Sequence, residues 1–156
     1  MPMRRLLLPI LLMAATLLPA ACGTHRGTAV TPTAETLVFD RHQVWQLVTL
    51  RGKAVPTSGP VTLVLNAEAG ALNGKAWCNR YFADFTLRAA TPSAEGTRYD
   101  LKVSYLGTDG LQCPEADMDA EGRYFALLAK ADGCLLTSYS LTLYRGGKEV
   151  MYFELQ

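Results

Sequence analysis

Leu72-Asn73-Gly74-Lys75-Ala76-Trp77-Cys78-Asn79-Arg80-Tyr81-Phe82-Ala83-Asp84-Phe85 is the most individual run of the chain. From Lys75 to Leu87 it has the look of a half-buried strand. Two readings of Trp77, Asn79, Arg80 and Tyr81 stand side by side. In one, Asn79 caps a turn through its amide, Tyr81 packs inward and Arg80 is solvated. In the other the four residues bind something, Arg80 and Trp77 foremost, since arginine and tryptophan are enriched at binding hot spots. For each residue taken singly the first reading is preferred.

Outward from this run the pattern stays β. Val61, Leu63 and Leu65 point one way, as do Leu101, Val103 and Tyr105, a period of two that marks half-buried strands. Val44–Leu50, Leu135–Tyr144 and Val150–Leu155 look similar. Turn residues separate them at Thr57-Ser58-Gly59-Pro60, Ala69-Gly70, Pro92–Gly96 and Gly146-Gly147, the last being a hairpin turn.

One stretch has a different period. Between Pro114 and Gly133, residues Tyr124, Leu127, Leu128 and Ala131 fall on a helical stripe. Glu115, Asp117, Asp119 and Glu121 crowd its start, where carboxylates suit the helix dipole. Lys130 stands near its end and Gly133 is the expected stop. Asp117-x-Asp119-x-Glu121-Gly122 also matches half of a calcium loop. The twelfth position, which should be glutamate, is Leu128, so a helix start is the better reading.

The chain has 156 residues, 49% hydrophobic and 19% charged, with 15 basic against 14 acidic side chains. This fits one folded domain and gives no electrostatic case for nucleic acid. Met1–Arg5 carries two arginines and Leu6–Leu18 carries no charge, a run too short to span a membrane. Residues 1–21 therefore read as an export signal. The segment Leu17-Leu18-Pro19-Ala20-Ala21-Cys22-Gly23 resembles a bacterial lipobox, with Pro19 where leucine is usual. The resemblance implies cleavage behind Ala21 and acylation of Cys22; the alternative is ordinary cleavage, with Cys22 as one more disulfide partner. Gly23 is not the aspartate that favours inner-membrane retention, so the outer membrane, periplasm-facing, is expected over the inner one. Several acyl chains on one residue give a stable anchor. Loss of residues 1–21 removes two arginines and takes the net charge from +1 to −1. Residues 22–42 read as the lipidated cysteine and a tether whose small polar residues from Gly23 to Thr36 cannot bury much surface. His25 lies in it.

The run around Cys78 resembles the signature of the META domain, the family of the heat-shock protein HslJ, whose pattern is Gly-x-x-Gly-Cys-Asn-x-Tyr-x-Gly-x-Tyr. Gly74, Cys78, Asn79 and Tyr81 match; Trp77, Ala83 and Phe85 replace two glycines and a tyrosine. Trp45-Gln46-Leu47 matches the family's opening, and Leu111-Gln112-Cys113 stands where it has Met-Ala-Cys. Glu121, Tyr124 and Leu128 match its helix, and Leu141, Leu143, Gly147 and Phe153 its closing hairpin. The resemblance implies an α+β domain over residues 43–156, with a curved antiparallel β-sheet, a half-barrel, packed around one main α-helix. It also implies an exported, often lipid-anchored protein tied to envelope, heat or antibiotic stress, with no accepted reaction.

Three cysteines remain besides Cys22, and exported thiols meet an oxidising compartment. The resemblance favours a Cys78–Cys113 disulfide, since both coincide with family cysteines. Cys113–Cys134, across the helix, is the rival. No Cys-x-x-Cys is present, and three scattered cysteines with His42 as the only domain histidine make no recognisable zinc site. Nucleophilic catalysis lacks a base beside a serine or cysteine, and no Gly-x-Ser-x-Gly turn occurs. No enzyme activity, metal or cofactor is expected. The leading expectation is an anchored envelope protein that binds or scaffolds, its partners being the membrane and an unidentified envelope protein or small ligand. A lysozyme-inhibitor-type lipoprotein comes second, and a cell-wall hydrolase third.

Overall fold

Alternating side chains make a sheet with one oily face, and this chain hides that face by curling the sheet until its edges meet. The computed structural model describes residues 37–55 and 59–156. The expected signal segment 1–21, Cys22, the tether up to residue 36 and the Thr57-Ser58 part of one turn lie outside those residues.

The strands are β1 (Trp45–Leu50), β2 (Lys53–Ala54), β3 (Thr62–Asn66), β4 (Ala71–Lys75), β5 (Arg80–Pro92) and β6 (Thr97–Thr108). After the helix α1 (Glu115–Leu128) come β7 (Gly133–Leu136), β8 (Ser140–Arg145) and β9 (Lys148–Leu155). Every pairing is antiparallel, and neighbours run β1-β3-β4-β5-β6-β7-β8-β9, with β2 a short hairpin arm on β1. The expected half-barrel is corrected here to a closed eight-stranded barrel with one helix. Strand β9 returns to β1, pairing from Trp45↔Leu155 to Leu50↔Met151, so among the described residues the eight barrel strands leave no open edge. Alternation tells which face is buried; it is silent on whether the two outer strands touch.

Inside, Leu63 and Leu65 of β3, Tyr81, Ala83 and Phe85 of β5, and Leu141 and Leu143 of β8 alternate into one core with Trp45 and Phe153. The helix adds Tyr124, Leu127 and Leu128, the expected stripe. No helix among the described residues is long and apolar enough to cross a membrane.

Five local expectations change. The span Lys75–Leu87 is not one strand but the end of β4 and the start of β5, broken by the turn Ala76–Asn79. Likewise Leu135–Tyr144 divides into β7 and β8. Tyr105 does not follow Leu101 and Val103 inward. The β5–β6 register jumps from Phe82↔Gly107 to Asp84↔Ser104, so Tyr105 and Leu106 together oppose Ala83 in a bulge. Tyr105 takes a left-handed φ of 52° and is 82% exposed. Gly133 does not stop the helix, which ends at Leu128 with Ala129 as its cap; Gly133 opens β7, opposite Tyr144. Lastly, residues 37–42 are not free tether. Phe39 is buried, Leu37 N–H donates to Thr97 Oγ1 at 2.7 Å, and Tyr99 Oη donates to the Leu37 carbonyl.

Candidate functional site

The turn Ala76-Trp77-Cys78-Asn79 is closed by Ala76 N–H donating to the Asn79 carbonyl at 2.8 Å. Its next backbone donors face the helix, and Glu121 meets them. One Glu121 oxygen, Oε1, accepts from the N–H of Cys78 at 2.7 Å and of Asn79 at 2.6 Å; Oε2 accepts from Asn79 Nδ2 at 2.6 Å. Asn79 Oδ1 accepts from Leu111 N–H at 2.6 Å. Buried polar groups are costly unless bonded, and here each is bonded. Cys78 is also joined to Cys113 in a disulfide, Cα–Cα 6.3 Å, so turn, loop and helix are held together at one spot. Cys134 is a free, buried thiol.

Next to this knot Tyr81 Oη donates to the Thr62 carbonyl at 2.8 Å and lies 2.6 Å from Tyr124 Oη. Burial, and after it the Tyr124 hydroxyl, pushes the Tyr81 phenol well above its ordinary range. Gly74 is required here, because a Cβ on it would strike the Thr62 carbonyl and the Tyr81 hydroxyl. Trp77 stacks edge-on against Tyr124, ring centroids 6.3 Å apart, and is half-buried.

The four residues singled out in the sequence therefore part company. Asn79 and Tyr81 are internal struts. Arg80 is exposed at the head of β5, its backbone bonded to Asp109. Trp77 alone turns to an open groove of about 770 Å³ between α1 and the β1–β2 hairpin. Leu50, Val55, Trp77 and Leu127 give it an apolar lining, and the helix adds Ala116, Ala120 and Ala126. Five cations line it, Arg51, Lys53, Arg123, Lys130 and Arg145, against one acid, Asp117. Among the described residues none of the five makes an ion pair.

Glu121 and these cations were missed by sequence reasoning. The run of carboxylates groups Glu121 with the helix start, yet it is the seventh helical residue, past the first turn where the dipole acts. Its spacing to Tyr124 and Leu128 was the signal: three residues on one buried stripe. The cations come from separate stretches of the chain, two turns and three elements, and carry no common motif. Both Glu121 oxygens are taken up by the turn, which leaves the calcium-loop resemblance without its third ligand. Among the described residues no group of three or more metal-binding side chains gathers.

A META domain model matches residues 35–156. The chain belongs to the META domain family. No curated protein matches it. An NMR structure of a protein from Burkholderia xenovorans shares the fold, with a TM-score of 0.54 and 20% identity over 80% of this chain and 96% of that one. A second NMR structure matches with a TM-score of 0.50 and 19% identity, over 74% and 90% of the two chains. Nearly all of each solved chain is thus spent on the shared fold, which stands alone in those chains. The match from residue 35 agrees with the packing of Leu37 and Phe39.

Proposed function

We propose that this META-domain chain is exported, carries acyl chains on Cys22, and acts at the outer membrane as a non-enzymatic binding domain that supports stress tolerance. Basic, apolar and lipobox-like segments at its start support export and anchoring, and a Cys78–Cys113 disulfide suits an oxidising compartment.

The observation that carries binding over chemistry is the division of labour among polar side chains. Those in the signature turn, Asn79, Tyr81, Glu121 and Tyr124, bond to one another or to backbone inside the fold. The groove beside them is lined by an indole, five cations and one acid. Such a set recognises and holds: it offers an apolar surface and many hydrogen-bond donors.

A photo-crosslinking residue at Lys53, exposed on the rim of the groove, in the full-length protein expressed in cells tests this. An adduct from Lys53 and none from Lys102, exposed on β6, is expected. Equal labelling at both positions, or none at Lys53, would refute the groove as a binding site.

A further inference from the structure

The groove is not uniform along its length. On α1, Ala116, Ala120, Arg123 and Leu127 follow one another at three- and four-residue steps, so a single helix face forms its wall, and Lys130 follows in the turn after the helix. From Ala116 to Leu127 that wall runs about 16 Å at 1.5 Å per residue. Its first half lies by Trp77, since Glu121 holds the Trp77 turn. Here the lining is alanine, indole and Val55. The second half leads to the β8–β9 turn: Asp132 N–H donates to the Tyr144 carbonyl and Asp132 Oδ2 accepts from Gly146 N–H. Lys130 and Arg145 are thereby brought to one end of the groove.

Arg51 joins them. Its N–H donates to the Val150 carbonyl, which sets the tip of the β1–β2 hairpin beside the start of β9. Arg51 and Gly52 form a two-residue turn with φ of 49° and 71°, where asparagine or glycine is usual at the first position. A long cation sits there instead. The only acid of the groove, Asp117, is at the opposite end of the helix wall.

An oily trough at one end and a cluster of two arginines and a lysine at the other form a polarised site. We propose, resting on the binding reading above, that the groove takes a single-chain amphiphile with a phosphate headgroup. The acyl chain lies between Trp77, Val55 and the helix alanines, and the phosphate meets Arg51, Lys130 and Arg145. Arginine forks bind phosphate oxygens in pairs, and lysine adds a point charge. The fit in length is good: a bilayer core of about 30 Å contains two opposed chains, so one chain needs about 15 Å. A free anion would leave the trough empty, and a neutral lipid would leave the cations unpartnered.

Dodecyl phosphate below its micelle concentration, titrated into residues 35–156 and followed by calorimetry and tryptophan fluorescence, tests the proposal. Trp45 is fully buried, so the fluorescence change reports Trp77. The expected result is saturable one-to-one binding with a blue shift, weakened at least tenfold by Lys130→Gln with Arg145→Gln and by Ala120→Leu, at unchanged melting temperature. Added salt weakens it further. Equal affinity for dodecyl maltoside, dodecyltrimethylammonium, inorganic phosphate or hexaglutamate overturns it, as does insensitivity to the charge variants. Absence of dodecyl phosphate binding alongside a specific Lys53 crosslink overturns the ligand class and leaves the binding reading standing; absence of both removes the two together.

Discussion

Glu121 on the helix and Asn79 in the signature turn grip each other twice. The Asn79 N–H and its Nδ2 each donate across 2.6 Å to a different oxygen of the same carboxyl group. Sequence places them 42 residues apart, and both are almost wholly buried. The helix is therefore fixed to the barrel through a polar clasp as well as through the Tyr124 and Leu128 contacts.

Glu121→Gln tests the clasp with almost no change of volume. One oxygen still accepts from the backbone, but the new amide group faces the Asn79 amide, donor against donor. Flipping Asn79 gives no relief, because its Oδ1 is needed by Leu111 N–H. Urea unfolding should show a loss of about 1–3 kcal/mol, the usual cost of a buried unsatisfied group. Glu121→Ala, which leaves three donors without an acceptor, should lose more.

Reduction of Cys78–Cys113 should lower stability by about 3–4 kcal/mol for a loop of 35 residues in the chain-entropy view. Denaturant midpoints with and without dithiothreitol measure it. A double Cys78→Ser, Cys113→Ser variant should match the reduced protein.

Cys134 has its thiol pushed up to about 12 by burial, with a backbone bond to Tyr99 acting weakly the other way. The folded state therefore binds a proton that the unfolded chain gives up near 9. The stability from this group is complete below pH 9 and is lost progressively as the pH rises toward 12. A Cys134→Ala variant should have a flatter stability curve between pH 9 and 10, before Tyr81 and Tyr124 contribute their own alkaline loss. Native protein should not react with Ellman's reagent until it unfolds.

Gly74→Ala should cost about 1–3 kcal/mol through overpacking, since the new methyl has the Thr62 carbonyl in its way. Amide hydrogen exchange should quicken at the β3–β4 pairing around Val64 and Asn73, more than at β8–β9.

Tyr105→Gly should raise stability by about 0.5–1 kcal/mol. It relieves a left-handed φ at a side chain that is almost fully exposed, and this gain exceeds the extra flexibility given to the unfolded chain. The urea midpoint checks the sign.

Much of the barrel could be read from the sequence because its cause is local. Leu63 and Leu65 alternate, Tyr124, Leu127 and Leu128 follow the helix period, and Gly146-Gly147 forms a hairpin with both φ values positive. Closure could not be read, since the Trp45↔Leu155 pairing depends on accumulated sheet curvature and not on either residue. The bulge at Tyr105 escaped because a one-residue insertion shows only against the partner strand. Of the candidate site, the cysteine pair was legible through the family pattern, and Trp77 stood out by residue type, where that pattern has glycine. Arg51, Lys130 and Arg145 were not, because a groove belongs to the space between elements.

Closure of the barrel between its first and last strands puts the two ends of the domain side by side. Gln156 N–H donates to the Val44 carbonyl at 2.9 Å, and its amide reaches Gln46 at the same distance. A short peptide bridge from residue 156 to residue 43, with the chain reopened in the exposed Ala67–Ala69 turn, would give a circular permutant that retains every strand pairing. In the native order, a load applied along the N-terminal lead-in meets the Leu37 contacts with Thr97 and Tyr99 first and the β1–β9 seam next, so these two in series set the mechanical strength of the domain.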